Sequence, residues 1–284
     1  MKNLIVSADD FGFHKSINEG IAKARKEGIV TSLNLMPTGG AFEDAVRLIK
    51  EMDLKEIGAH LSLTETSPSL DAGKVPTLVA KDGRFHRNHT AFFLNFFLKK
   101  IDLLQVYLEL KNQLDCLQRV GARITNLTSH ENIHMVPHIL DIFVRLAKEH
   151  NIPSMRRLRK EKLPAHFSPR RLYKKSVISY FEKGMGDILN RYGIAATDHF
   201  LGFLDAGNIR EDSLLVMLDS LEDGTTELMT HPGFLSPEVL DKYKAYLNCE
   251  AELAALVSRR VKRLIQNKGI KLVTYGEFLK TKGI

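Results

Sequence analysis

Short apolar runs alternate with longer stretches of helical spacing along the whole chain. Leu4–Ala8 is a compact run rich in Ile and Val. Ser16–Lys26 follows with a helical pattern, and Gly28 stands just past its end, where a left-handed cap is expected. Val30–Met36 predicts a second strand, and a Gly39-Gly40 turn leads to an amphipathic helix through Lys50. Ile57–Leu63 predicts a third strand. The stretch after it, from Glu65 to about Arg87, is irregular and carries Pro68, Gly73, Pro76 and Gly83. Two helical pieces run to Arg119, a fourth strand spans Ile124–Thr128, and a helix spans Pro137–His150. A weak fifth strand starts at Pro153–Met155, and a basic helical insertion runs from there to about Tyr192. His199–Phe203 and Glu227–Thr230 read as strands, Pro237–Asn267 as one long helical region, and Ile270–Thr274 as a last strand. Strand and helix in alternation imply a parallel sheet. Seven or eight such units fit an α/β fold closed into a distorted (β/α) barrel better than two separate sheets. The expectation is one domain over 1–284, with insertions at about 65–90 and 158–192.

In a parallel barrel the site lies at the C-terminal strand ends. Four apolar runs end there in groups that bind metal or move protons: Ala8-Asp9-Asp10-Phe11-Gly12, Gly58-Ala59-His60-Leu61, Ser129-His130-Glu131-Asn132-Ile133-His134, and Thr230-His231-Pro232-Gly233. Adjacent Asp9 and Asp10 point to opposite faces of a strand, so one pocket can take both only if the chain turns, which Gly12 permits. His60 sits on the small, polar face of its strand, between Gly58 and Ser62. His130 and His134 share a face if their segment turns helically. Singly, each group has a structural reading: turn aspartates, a strand histidine, a helix cap. Jointly they fall at strand ends derived independently from periodicity. A carboxylate with two imidazoles leaves coordination positions open, as metal-assisted hydrolysis needs.

The chain has a formal charge of +7. Its Lys and Arg residues are scattered except in Met155–Lys162 and Pro169–Lys175, so solvated faces explain them better than a nucleic-acid partner. Cys116 and Cys249 form no short Cys-x-x-Cys motif and read as buried, reduced thiols, which points to the cytoplasm. No run approaches the roughly 20 apolar residues of a membrane span.

Those blocks, with Asp198-His199-Phe200, resemble the YdjC-type carbohydrate deacetylases in order from about residue 3 to residue 235. The group includes chitooligosaccharide deacetylases and deacetylases linked to hopanoid biosynthesis. The resemblance implies a barrel distantly like the polysaccharide deacetylases and one divalent metal ion, magnesium or zinc. It implies that Asp10, His60 and His130 hold the ion and that Asp9 is the general base. Asn132 and Thr128 depart from many relatives, which carry histidine and aspartate there. We expect His231 to protonate the leaving amine and His134 to support the ligands. Arg156, Asp198 and His199 are expected to touch Asp9 or sugar hydroxyls. The expected substrate is an N-acetylated sugar or oligosaccharide, and the sequence admits a homodimer. Two other readings stand: a metal-dependent hydrolase or isomerase acting on another bond, and a non-catalytic binder of an anionic ligand.

Overall fold

A computed structural model describes residues 1–161, 169–242 and 246–284. Its strands are β1 (Lys2–Phe11), β2 (Ser32–Leu35), β3 (Glu56–Leu61), β4 (Arg123–Ser129), β5 (His199–Leu201), β6 (Gly224–Thr230) and β7 (Lys271–Leu272). Its helices are α1 (Lys15–Glu27), α2 (Phe42–Glu51), α3 (His89–Phe97), α4 (Leu103–Gln118), α5 (Ile139–Glu149), α6 (Pro169–Arg191), α7 (Glu211–Asp219), α8 (Pro237–Lys242), α9 (Cys249–Val257), α10 (Arg259–Asn267) and α11 (Tyr275–Thr281).

Every strand pairing is parallel, in the order β4-β3-β2-β1-β6-β5, with β7 on β1. The gap between β4 and β5 is bridged by residues 153–156. Leu127 pairs with Met155 and Ser154 with Ala195, both parallel. The weak fifth strand read from the sequence is this bridge, and it joins the ends of the sheet into a distorted barrel. The outer face of β1, with Leu4, Val6 and Ala8, packs in one core with Ile17 and Ile21 of α1 and Leu253 and Leu256 of α9. Each such fully buried side chain contributes about 1.5–3 kcal/mol, enough in sum to hold the helices on the sheet. On the opposite face of β1, Ile5 packs with Val273, Tyr275, Phe278 and Leu279 around α11.

Two local expectations need correction, and a third gains detail. Gly28 is extended (φ −114, ψ −150), not left-handed. A Cβ there would lie 2.5 Å from Ala24 O and 2.8 Å from Leu256 O, so close approach of α9, not cap conformation, calls for glycine. The helical region Pro237–Asn267 holds α8, α9 and α10 among its described residues, and a break at Ser258, which caps α10 by accepting from Arg260 N and Val261 N, parts the last two. Cys249 is buried, but Cys116 is only half-buried.

Inside the barrel, Asn34, Gly58 and Asn126 lie side by side on β2, β3 and β4. Asn126 Nδ2 donates to Asn34 Oδ1 at 3.1 Å across Gly58. A Cβ on Gly58 would overlap Asn34 Oδ1 and lie 2.6 Å from Asn126 Oδ1. Gly58→Ala is therefore expected to destabilise the protein by about 1–3 kcal/mol, as overpacking of a tight interior does. Thermal unfolding measures this, and an unchanged midpoint would refute the packing argument.

Candidate metal centre and catalytic site

The C-terminal ends of β1, β3 and β4 bring Asp10, His60 and His130 together. His60 Nε2 lies 3.0 Å and His130 Nδ1 2.8 Å from Asp10 Oδ1. Among the described residues this is the group of three buried ligand types whose donor atoms all lie within 4.8 Å of one another. The turn that admits both aspartates is at Asp10 itself. Its φ is 64, and the β1–β2 register shifts between Ala8 and Phe11. Left-handed backbone is uncommon for a residue with a side chain. Of the eight such non-glycine residues among those described, Asp10 belongs to this cluster and Glu65, Glu131 and Asn132 adjoin its members, which is where strain tends to collect in functional sites.

The donor set fits a divalent cation. It offers one carboxylate and two imidazoles, leaves positions open for water and substrate, and has supporting groups around it. His130 Nε2 lies 3.0 Å from Glu65 Oε2, so a carboxylate can orient the ring from behind. The Tyr246 hydroxyl donates to Asp10 Oδ2 at 2.6 Å, which leaves Oδ1 to face the histidines. Phe13 stacks on both His130 and Tyr246, with centroids 6.1 and 5.2 Å away. Burial opposes ionisation of Asp10, but His130 and His60 beside it hold its carboxyl well below the usual range.

Asp9 adjoins the cluster and is held differently. Arg156 donates to it through two bonds, Nη1 to Oδ2 at 2.6 Å and Nη2 to Oδ1 at 2.8 Å. Asn34 Nδ2 adds a bond to Oδ1 at 2.6 Å. Burial raises the Asp9 carboxyl, but the charges of Arg156, His60 and His231 outweigh it and set the pKa at about 2. Arg156 also reaches Glu227 Oε1 on β6, from Nε at 2.9 Å and Nη2 at 2.7 Å. A chain of hydrogen bonds thus crosses the barrel from Asn126 through Asn34, Asp9 and Arg156 to Glu227.

His231 follows β6, and its backbone N donates to Glu252 Oε2 of α9 at 2.7 Å. The 130–135 segment is a 3₁₀ turn broken by left-handed Glu131 and Asn132, so the His130–His134 spacing is no regular helical face. His134 is not part of the cluster. Its Nδ1 lies 2.6 Å from Ser129 Oγ, and burial followed by the Arg156 charge lowers its pKa to about 3.

Asp198 and His199 do not reach the site. Asp198 precedes β5 and accepts from Thr225 N at 2.9 Å, opposite Asn3 at the start of β1. It also pairs with Lys282, and His199 Nε2 lies 3.0 Å from Asp223 O. Both stand at the N-terminal end of the barrel strands, and their expected contact with Asp9 is withdrawn. Glu65, Tyr246, Asn34, Glu227 and Glu252 were not singled out from the sequence. Asn34 carried a usable signal, a polar residue inside an apolar strand run facing Gly58. Glu227 lies mid-strand on β6, and Glu65, Tyr246 and Glu252 come from loops or a distant helix that no local pattern ties to the strand ends.

Fold and site define a class: a parallel α/β barrel with a buried Asp-His-His cation site at its C-terminal mouth. A family profile described as YdjC-like protein matches residues 3–267. The chain belongs to the YdjC-like family. It is 32% identical over 275 residues to a carbohydrate deacetylase of Brevibacillus brevis, covering 96% of this chain and 98% of the relative. It is 30% identical over 278 residues to a carbohydrate deacetylase of Thermoanaerobacter pseudethanolicus, covering 97% and 98%. A crystal structure from Enterococcus faecalis V583, provisionally described as a cellobiose-phosphate cleavage protein, superposes with a TM-score of 0.79 at 27% identity over 98% of each chain.

Proposed function

We propose that the protein is a carbohydrate N-deacetylase, hydrolysing the acetamide of an N-acetylated amino sugar to acetate and the free amine. One observation carries this reading: the Asp10-His60-His130 cluster beside an ionised, immobilised Asp9. Asp10, His60 and His130 would hold one divalent ion, magnesium or zinc. Bound there, such an ion polarises a carbonyl and lowers the pKa of the attacking water. Asp9 accepts the proton of that water as it adds to the acetyl carbon. Its pKa near 2 makes it a weak base, so transfer is driven by charge lost from the water as the bond forms. Arg156 and Asn34 keep Asp9 from rotating. His231 donates a proton to the amine as the C–N bond breaks. His134, through its contacts with Ser129 Oγ, supports the turn that carries His130.

The loop 65–90 and the insertion 158–192 form the substrate walls, although residues 162–168 of that insertion lie outside those described. We take residues 1–284 as one domain. Cys116 and Cys249 are free thiols, which supports a cytoplasmic location. No helix among the described residues is long and apolar enough to cross a membrane.

Acetate release from N-acetylglucosamine oligomers tests the reading. Dialysis against chelator is expected to abolish release, and added divalent ion to restore it. His60→Ala is expected to lose both bound ion and turnover. Cleavage of another bond in the same substrates, without acetate, would overturn the deacetylase reading and favour another hydrolytic or isomerising chemistry. Ligand binding that falls steeply with salt and ignores chelator would favour the anionic binder.

A further inference from the structure

We infer that the outer face of α3 and the start of α4 is a docking surface for an anionic lipid bilayer. Thirteen large apolar side chains are exposed among the described residues, and six of them lie in one short stretch: Leu94, Phe97, Leu98, Leu103, Leu104 and Leu108. Phe97 is 67% exposed, and Leu94 and Leu104 are about as open at 60% and 61%. The spacing of Leu94, Phe97 and Leu98 puts them on one stripe of α3, and that of Leu104 and Leu108 on one stripe of α4. α3 holds itself to the core through Phe92, with Phe93 and Phe96 half-buried against it, which leaves Leu94 and Phe97 on its outer face. Scattered exposed leucines need no explanation, but six large apolar side chains crowded between Leu94 and Leu108 point to an interaction surface.

The charges around the patch choose the partner. Arg87 precedes α3, and Lys99 and Lys100 follow Leu98; all three are exposed, against exposed Asp102 and against Glu149, which Tyr107 bonds and Arg145 already pairs. Apolar side chains flanked by Lys and Arg match an interfacial helix at a bilayer of negative headgroups. A second copy of the chain docking on this face about a two-fold axis would set basic rims against each other. The face is also tied to the site, because His89 Nδ1 of α3 lies 2.6 Å from Glu131 Oε1 in the turn after His130. A docked bilayer would lie beside the mouth of the barrel.

Sedimentation with vesicles tests this. The protein is expected to pellet with phosphatidylglycerol-containing vesicles and to remain in solution with pure phosphatidylcholine. The triple change Leu94→Ser, Phe97→Ser and Leu98→Ser is expected to weaken vesicle binding by about tenfold or more, since it removes the inserting surface. The double change Lys99→Glu and Lys100→Glu is expected to do the same through charge. Both variants should keep the wild-type thermal midpoint and the same acetate release from soluble oligomers, which separates docking from folding and from the deacetylase reading. Failure of the wild-type protein to bind either vesicle overturns the inference. So does a wild-type dimer, seen by light scattering, that the triple change dissociates, because the occupant is then a second copy.

Discussion

Asp9→Asn is expected to retain a bound divalent ion while turnover falls by about 10²–10⁴-fold, the usual contribution of a positioned general base. The two halves of this result have separate causes. Asp10, His60 and His130 would supply the ligand atoms, and no hydrogen bond joins any of them to Asp9. Their geometry survives the change, so ion content, measured on protein purified without chelator, should stay near wild type. The asparagine amide fills nearly the same volume but cannot take a proton from water. It also presents a donor to Arg156, where the carboxylate presented only acceptors, so some stability is lost as well. Circular dichroism must therefore show a folded variant before the rate is read. Normal acetate release by folded Asp9→Asn would remove Asp9 from the chemistry and leave it as a partner of Arg156 alone. Loss of the ion together with the rate would place Asp9 among the ligands instead.

The parts of this molecule legible in the sequence are those governed by local pattern. Period and composition located the strands, because β1, β3, β4 and β6 carry apolar runs that end in acid or histidine groups, even though Asn126 and Glu227 interrupt β4 and β6. That is why Asp9, Asp10, His60 and His130 could be grouped before any coordinates. Direction along a strand was harder. Asp198 and His199 look like Asp9 and Asp10 beside an apolar run, yet they open a strand rather than close it, and so face the other end of the barrel. Backbone conformation was hidden as well. Gly12 does take a positive φ of 104, but nothing in the sequence marked Asp10 itself as left-handed, at φ 64. Least legible were partners fixed by tertiary distance. Tyr246 reaches Asp10 across 236 positions, and Glu227 reaches Arg156 across 71. No spacing rule connects them, because the closure of the barrel, not the local chain, brings them together.

Arg156→Met is expected to lower stability by about 3–5 kcal/mol, the scale seen when one partner of a buried ion network is removed. For a chain of this size that corresponds to a fall of about 6–20 °C in the thermal midpoint. Arg156 has no exposed surface, and its guanidinium serves two carboxylates, Asp9 and Glu227. Methionine matches much of its volume but leaves both acids buried without a cation. The penalty therefore arises from those two charges rather than from a cavity, and this yields a second expectation. Glu227→Gln in the Arg156→Met background removes one uncompensated charge, so the double variant should be more stable than Arg156→Met alone, a non-additivity proper to residues in contact. Arg156→Lys keeps the charge but not the planar fork that grips two carboxylates, and should fall between wild type and Met. A loss below about 1 kcal/mol in Arg156→Met would put the residue at the level of an exposed ion pair and refute its role. If the large loss is found, a buried network is being kept at a position where apolar packing can be equally stable. The feature that apolar packing cannot reproduce is the fixed orientation of Asp9 toward the Asp10-His60-His130 cluster. Activity should then fall in Glu227→Gln far less than in Arg156→Met, because only the latter frees the Asp9 carboxylate to rotate.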